Sequence, residues 1–194
     1  MIIAESKQDT KLPAIMTAAI RLFVENGVAS TTIRDIAKAA KVAEGTLYRH
    51  YDSKEELARD ILQTNLATFS EFLDRGARAK PNLPGRLEGI ARAFAEAYEE
   101  NQDVARFILF SHAAEMGRLP KSMRQPRHVV LDILKEAVTA RELPASADLD
   151  LLQALIIGAC SRLLLAKAYG EVKGDLRDKA PEVGRRLARL VEGK

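Results

Sequence analysis

The sequence predicts an all-α protein on three observations. Apolar residues recur at helical spacing in one segment after another, no stretch alternates as a strand would, and the breaks carry proline, glycine or capping residues. About nine helices are expected, three short ones at the N-terminus and a larger helical region after them.

The first helix runs from about Leu12 to Asn26, with Gly27 in the position of a C-terminal cap. The second opens on a capping box, Thr32 with Asp35, and places Ile33, Ile36, Ala37 and Ala40 at i, i+3, i+4, i+7. Three residues later a short third helix turns Leu47 inward, while Thr46, Tyr48, Arg49 and His50 carry donors and acceptors elsewhere. Ser53 then caps a long fourth helix reaching about Arg78, with Glu56 completing a second capping box. Lys54 at its first position opposes the helix dipole and is better placed to meet a phosphate.

Pro81 to Gly85 separate the fourth helix from a fifth that ends near Asn101; a sixth starts after Asp103 and stops by Gly117. Arg118 to Pro126, with two prolines and several cations, reads as a loop. A seventh helix follows from about Arg127 to Ala140. After a Pro144 to Ala147 link, Asp148 caps an eighth that ends at Gly170, and the last runs from about Pro181 to Val191.

Two short helices joined by a tight turn, with a third following at once, are how a protein reads DNA. Residues 11 to 60 resemble the DNA-binding domain of the TetR family of bacterial transcriptional regulators. The resemblance lies in the Thr-x-x-Asp-Ile-Ala start, the Gly-Thr-Leu-Tyr core at 45–48, then Tyr51 and Ser53 to Leu57. It implies a helix-turn-helix domain over residues 1–55 and a helical effector-binding and dimerisation domain over 56–194.

By position, the resemblance sets Thr32 and Arg34 beside a phosphate, with Tyr48, His50 and Lys54 clamping the same backbone. Glu44, Gly45, Thr46 and Arg49 would face base edges, Arg49 being suited to paired donation to a guanine. Leu47, Ile33, Ile36 and Val42 are core. Three departures stand out. Lys41 occupies the place of a glycine in a left-handed turn, costing about 1 kcal/mol if that dihedral is kept. Ala43 replaces a Ser or Thr cap typically contributing about 1 kcal/mol. Glu44 puts an acid at the groove-facing end, where it suits the helix dipole and could accept from a cytosine amino group.

Charge sharpens the expectation. The sequence pI is about 9.0, yet residues 1–60 hold nine Lys or Arg against nine Asp or Glu. Affinity for random DNA should then be modest and come from a few placed cations.

The eighth helix is apolar around nearly its whole circumference, which one core cannot bury. A second copy of the chain is the natural cover, through Leu152, Ile156 and Leu163 with Val183, Leu187 and Leu190 of the last helix. The resemblance also implies a four-helix homodimer interface there. Twofold symmetry would present two recognition helices to successive major grooves of a palindrome, about 34–36 Å apart.

Family members commonly bind a small molecule in the helical domain and release DNA. Phe69, Phe72, Phe94, Tyr98, Phe107, Phe110 and Met116 are candidates to line such a cavity or to be ordinary core, and His112 with Glu115 could meet a polar ligand group. Two ligands do not make a metal site, and neither metal nor cofactor is expected. There is no Gly-rich phosphate loop, no HExxH and no Gly-x-Ser-x-Gly, so no enzyme is expected either. The 194 residues, 47% apolar and 29% charged, describe one unit or two tightly joined ones.

The longest apolar runs, Ala154 to Cys160 and Leu163 to Ala166, fall short of the roughly 20 residues a bilayer needs. With the single Cys160 excluding a disulfide framework, a cytoplasmic protein without a membrane partner is expected. A ligand-responsive repressor on a palindromic operator is the leading reading; an activator or an architectural DNA-binding protein would use the same helix-turn-helix.

Overall fold

The computed structural model describes residues 11–115 and 119–192, with the backbone alone at 112–115 and 192. The described residues form nine helices: α1 Leu12–Asn26, α2 Ile33–Ala40, α3 Glu44–Tyr48, α4 Lys54–Arg78, α5 Leu83–Glu100, α6 Gln102–Glu115, α7 Pro126–Thr139, α8 Leu149–Ala168 and α9 Ala180–Glu192. They divide into two compact units. One runs through Leu66 and takes in Asp103–Lys121; the other comprises Ala67–Gln102 and Ser122–Lys194. Helix α4 is unbroken and contributes to both, and the boundary expected at 55 and 56 sits in its first turn.

In the first unit, α1 buries Ile15, Met16, Ala19, Ile20 and Phe23 along one face. Gly27, at φ 79°, ends the helix by donating its N–H to the Phe23 carbonyl. Ile36 and Ala37 of α2, Leu47 of α3, and Leu57, Ile61 and Leu62 of α4 complete the core. The Phe107 ring of α6 stacks on Phe23 at 5.8 Å.

In the second unit α5 is the most buried element. Asn82 caps it, its side chain accepting from the Gly85 N–H at 3.0 Å. Two glycines allow backbones to approach closely: a Cβ on Gly89 would lie 2.8 Å from the Gly76 carbonyl oxygen, and one on Gly184 of α9 would lie 2.6 Å from Glu88 Cα. Arg78 at the end of α4 meets both Asp74, at 2.8 Å, and Glu136 of α7, at 2.6 Å. The Asp148 carboxylate caps α8 through the Leu151 N–H, as the sequence indicated.

Helix α8 is where sequence and structure part. Ile156, expected at an interface between copies, is fully buried within its own unit, as is Leu187 of α9 at 3% exposure. Both belong to the core. Leu152, Leu163 and Val183 are half-buried, and of the six expected interface residues only Leu190 is exposed. The open face is one position away: Leu151, Ala154, Leu155, Gly158 and Ala159 are all exposed, spaced i, i+3, i+4, i+7, i+8, with the Leu151 and Leu155 side chains open to 54% and 42%. An element apolar on every side gives no periodic signal to distinguish its inner from its outer face.

The expectation from short apolar runs also needs correcting, because two stretches are long and apolar enough to cross a membrane by length and composition. They are Leu12–Ser30 and Leu149–Ala168, of mean hydropathy 1.3 and 1.7. The first carries the core face of α1. The second is α8, which packs against α5 and α7 on its inner side.

Candidate nucleic-acid interface

Thr32 stands in extended backbone ahead of α2 and makes the full capping box. Its hydroxyl accepts from the Asp35 N–H at 3.1 Å, while Asp35 Oδ2 accepts from the Thr32 N–H at 3.1 Å and from the hydroxyl at 2.6 Å. Those bonds, led by the Thr32 hydroxyl, hold the Asp35 carboxyl below the ordinary carboxylate range. Thr32 thus sets the angle of α2, with its hydroxyl hydrogen already committed.

The turn after α2 adopts the left-handed conformation its glycine-free sequence makes costly. Lys41 has φ 56° and ψ 43°, and its N–H bonds back to the Ala37 and Lys38 carbonyls. Ala43 follows as an extended N-cap of α3 with no side-chain bond. Both sequence expectations for this turn are met.

From there α3 presents Glu44, Gly45, Tyr48 and Arg49 to the outside, with Tyr48 55% exposed, while Leu47 is completely buried beneath them. Thr46 and His50 are half-buried. A Cβ on Gly45 would touch nothing, so nothing inside the protein requires glycine there. Arg34, its side chain 84% exposed, reaches to 3.9 Å from Glu44 Oε1 and brings the start of α2 to the start of α3. The acid that seemed misplaced beside phosphates therefore has a guanidinium for company, a pairing that their ten-residue separation did not announce.

Lys54 is less free than expected. Its Nζ donates to the Ala29 carbonyl at 2.6 Å and lies 3.9 Å from Glu55, with the side chain 20% exposed. It ties the head of α4 to the segment between α1 and α2, leaving other ammonium protons to face outward. The second capping box is also displaced by a residue: Ser53 Oγ accepts from the Glu56 N–H at 3.1 Å, but the Glu56 carboxylate accepts from the Asp52 N–H at 2.8 Å.

Tyr51, buried behind α3, donates its hydroxyl to Asp60 at 2.6 Å; burial first and that bond second push its pKa upward. Beside them a concave polar site of about 460 Å³ is lined by His50, Tyr51, Glu56, Arg59, Asp60 and Gln63. Sequence reading missed Arg59 and Gln63, which lie on α4 beside the segment after α3 that carries His50 and Tyr51 and is tied to α4 by the Tyr51–Asp60 bond.

Helix, left-handed turn and exposed second helix, on a buried Leu47 pivot, form a helix-turn-helix. The family profile described as "Bacterial regulatory proteins, tetR family" matches residues 15–61. The chain belongs to the TetR family. It is a DNA-binding transcriptional regulator. The repressor KstR2 of Mycobacterium tuberculosis H37Rv is 28% identical over 153 residues, covering 73% of this chain and 74% of the relative. The regulator AcrR of Shigella flexneri is 28% identical over 183 residues, covering 84% and 83%. In fold the chain is similar to the transcriptional regulator FadR of Bacillus subtilis in complex with stearoyl-CoA, with TM-score 0.75, 22% identity, and 93% and 98% of the two chains covered. Matches of this kind make the chain a TetR-family regulator rather than an enzyme.

The effector candidates fall in both units. Phe69 and Phe94 pack edge to face with ring centres 4.9 Å apart, and Tyr98 is buried in the same unit. Phe72 is half-buried. Phe107 is core against Phe23, whereas Phe110 is 41% exposed. The side chains of His112, Glu115 and Met116 lie outside the described residues. Among the described residues no cluster of three metal-ligating side chains occurs.

Proposed function

We propose that this TetR-family regulator binds a palindromic operator as a homodimer in the cytoplasm and represses until a small molecule releases it. The exposed stripe on α8 carries the proposal. Leu151, Ala154, Leu155, Gly158 and Ala159 make a continuous apolar face with no cover from the chain's own helices, and exposed Leu190 of α9 adds a large apolar side chain. Covering such a face removes apolar surface from water, a gross gain of roughly 25 cal/mol per Å² from which the entropic cost of association is subtracted. A second copy of the stripe is its self-complementary partner, since a twofold interface uses one patch twice.

Ligand release is supported by likeness alone: stearoyl-CoA is bound in the FadR structure named above, and a γ-butyrolactone receptor of TM-score 0.65 shares the fold. The lever would be α4, which begins at Lys54 beside the recognition helix and continues without interruption past Phe69 and Phe72 to Arg78. An effector that favours one tilt of α4 changes the separation of two recognition helices, and operator affinity falls by the ratio of its affinities for the two states.

The test is light scattering together with footprinting on the operator. Wild type should run as a dimer and protect two half-sites one helical turn apart, whereas Leu155→Arg should run as a monomer and lose at least the cooperative part of binding. A monomeric wild type with full operator affinity would sink the proposal. Mapping of bound sites on the chromosome separates a local repressor, at few promoters, from an architectural protein at many dispersed sites.

A further inference from the structure

We propose that Asp60 is a positioning residue for base reading: by holding the Tyr51 hydroxyl it fixes the angle at which α3 meets the groove. The inference goes beyond the repressor reading above and rests on one part of it, that α3 is the helix facing base edges.

A helix of five residues does not hold its own direction. Isolated helices shorter than about 12–15 residues are marginal in water, so the aim of α3, Glu44–Tyr48, comes from what its ends are fastened to. Its start is weakly fastened. Lys41 sits in the left-handed region ahead of it, and Ala43 caps it with no side-chain bond. The Glu44 carboxylate meets Arg34 at 3.9 Å with both side chains at least half exposed, and exposed pairs contribute little.

The other end is better held. Leu47 is fully buried, and its carbonyl accepts from the His50 and Tyr51 N–H groups, each at 2.9 Å. The Tyr51 hydroxyl then crosses to the second turn of α4 and donates to Asp60 Oδ2 at 2.6 Å, with Tyr51 only 8% exposed. That length lies in the range of a charge-assisted O–H to carboxylate bond. Tyr51 is thus bonded to α3 by its backbone and to α4 by its side chain, two residues after Arg49.

The consequence differs between the two kinds of DNA contact. Phosphates are met by long side chains that follow a small tilt, whereas paired donors to a base edge need fixed geometry. Loosening the far end of α3 therefore costs base preference before it costs hold on the backbone. Asp60 is half-buried and borders the concave site of about 460 Å³, so water can replace a lost hydroxyl and Tyr51→Phe should fold.

The experiment uses full-length protein, with Asp60→Ala, Asp60→Asn, Tyr51→Phe and the double variant Tyr51→Phe with Asp60→Ala. Fluorescence anisotropy compares a duplex selected from a random library by the wild type with a scrambled duplex of the same composition. Stoichiometric titration sets the active fraction of each protein, so a loss of folded molecules does not count as a loss of affinity. Asp60→Ala and Tyr51→Phe should each weaken the selected duplex about tenfold and the scrambled one by less than about threefold. The double variant should be no worse than either single one, because both remove one bond. Asp60→Asn keeps an acceptor and should recover most of the loss.

Equal losses on both duplexes would make the bond merely structural and overturn the inference. So would single losses that multiply in the double variant, an Asp60→Asn no better than Asp60→Ala, or full preference retained throughout. Should the Asp60 variants fail to fold, Tyr51→Phe, which removes one oxygen, decides. Arg49→Met separates the two levels. If it relaxes base preference while Tyr51→Phe does not, α3 stands as the reader and the role of Asp60 falls; if it changes no preference, both fall.

Discussion

Lys41→Gly should make the DNA-binding unit more stable, and the size of the gain follows from one dihedral. At φ 56° and ψ 43° Lys41 is in the left-handed region, where a Cβ costs roughly 1–2 kcal/mol that glycine does not incur. Glycine's freer unfolded chain takes back roughly 0.5–1 kcal/mol, so a net gain of roughly 0.5–1 kcal/mol is expected. The side chain itself is exposed, so little packing is lost with it. Lys41→Ala is the decisive control, because it removes the ammonium and stem but keeps the Cβ, and it should gain nothing. Native-state hydrogen exchange at the α2 and α3 amides, followed across denaturant, reads the local free energy. If Lys41→Gly and Lys41→Ala protect those amides equally, Cβ strain is not what this turn carries and the reasoning fails. Ala43→Ser should add about another 1 kcal/mol by supplying the absent cap.

Three further outcomes are expected. In binding-site selection, Arg49→Met should relax base preference at one position of each half-site, by about 1–3 kcal/mol of discrimination, whereas Lys54→Met should weaken all sequences alike and also loosen the head of α4 through the lost bond to Ala29. If the two variants change selectivity in the same way, the division of roles is wrong. Because the folded pKa of Asp35 is depressed, the capping box contributes above the unfolded carboxyl pKa of about 3.9 and is lost as pH falls through the lower folded value; a carboxyl-carbon NMR titration midpoint at or above the unfolded value would contradict this. Glu44→Gln should raise affinity for scrambled duplex in anisotropy titrations and steepen its salt dependence, since Arg34 then loses an internal partner and is free for phosphate. An unchanged salt slope would show that Arg34 was never restrained.

Much of the fold was legible because its signals are local. The Thr32 and Asp148 caps and the Gly27 stop act within four residues of themselves, and the structure honours each; Pro84 and Pro126, expected in connecting segments, instead lie in the first turns of α5 and α7. The left-handed Lys41 was legible through the resemblance alone, because Lys41 stands where the family has the glycine of a left-handed turn. What stayed hidden depends on pairs far apart in the chain. Lys54 to Ala29, Arg34 to Glu44 and the Gly184 approach to Glu88 follow from how helices cross, and residue type alone did not point to any of them.

Helix α8 shows the remaining limit in its sharpest form. Its apolarity correctly announced that one core could not bury it, yet the same uniformity erased the phase of the buried face: Ile156, expected outside, lies inside, while Leu152 and Leu163 are half-buried. Composition fixes how much apolar surface an element has; only its neighbours fix where the excess goes. Here α5 and α7 take the Ile156, Cys160 and Leu164 side and leave Leu151 and Leu155 to the outside. The outer stripe is made of large residues at one end and of Gly158 and Ala159 beyond, a shape that lets a second helix come close at one point while bulky side chains interlock at another. A continuous apolar face with that relief suits a partner of matching contour more than a disordered lipid surface, and in the proposed dimer another α8 would supply that contour without any further component.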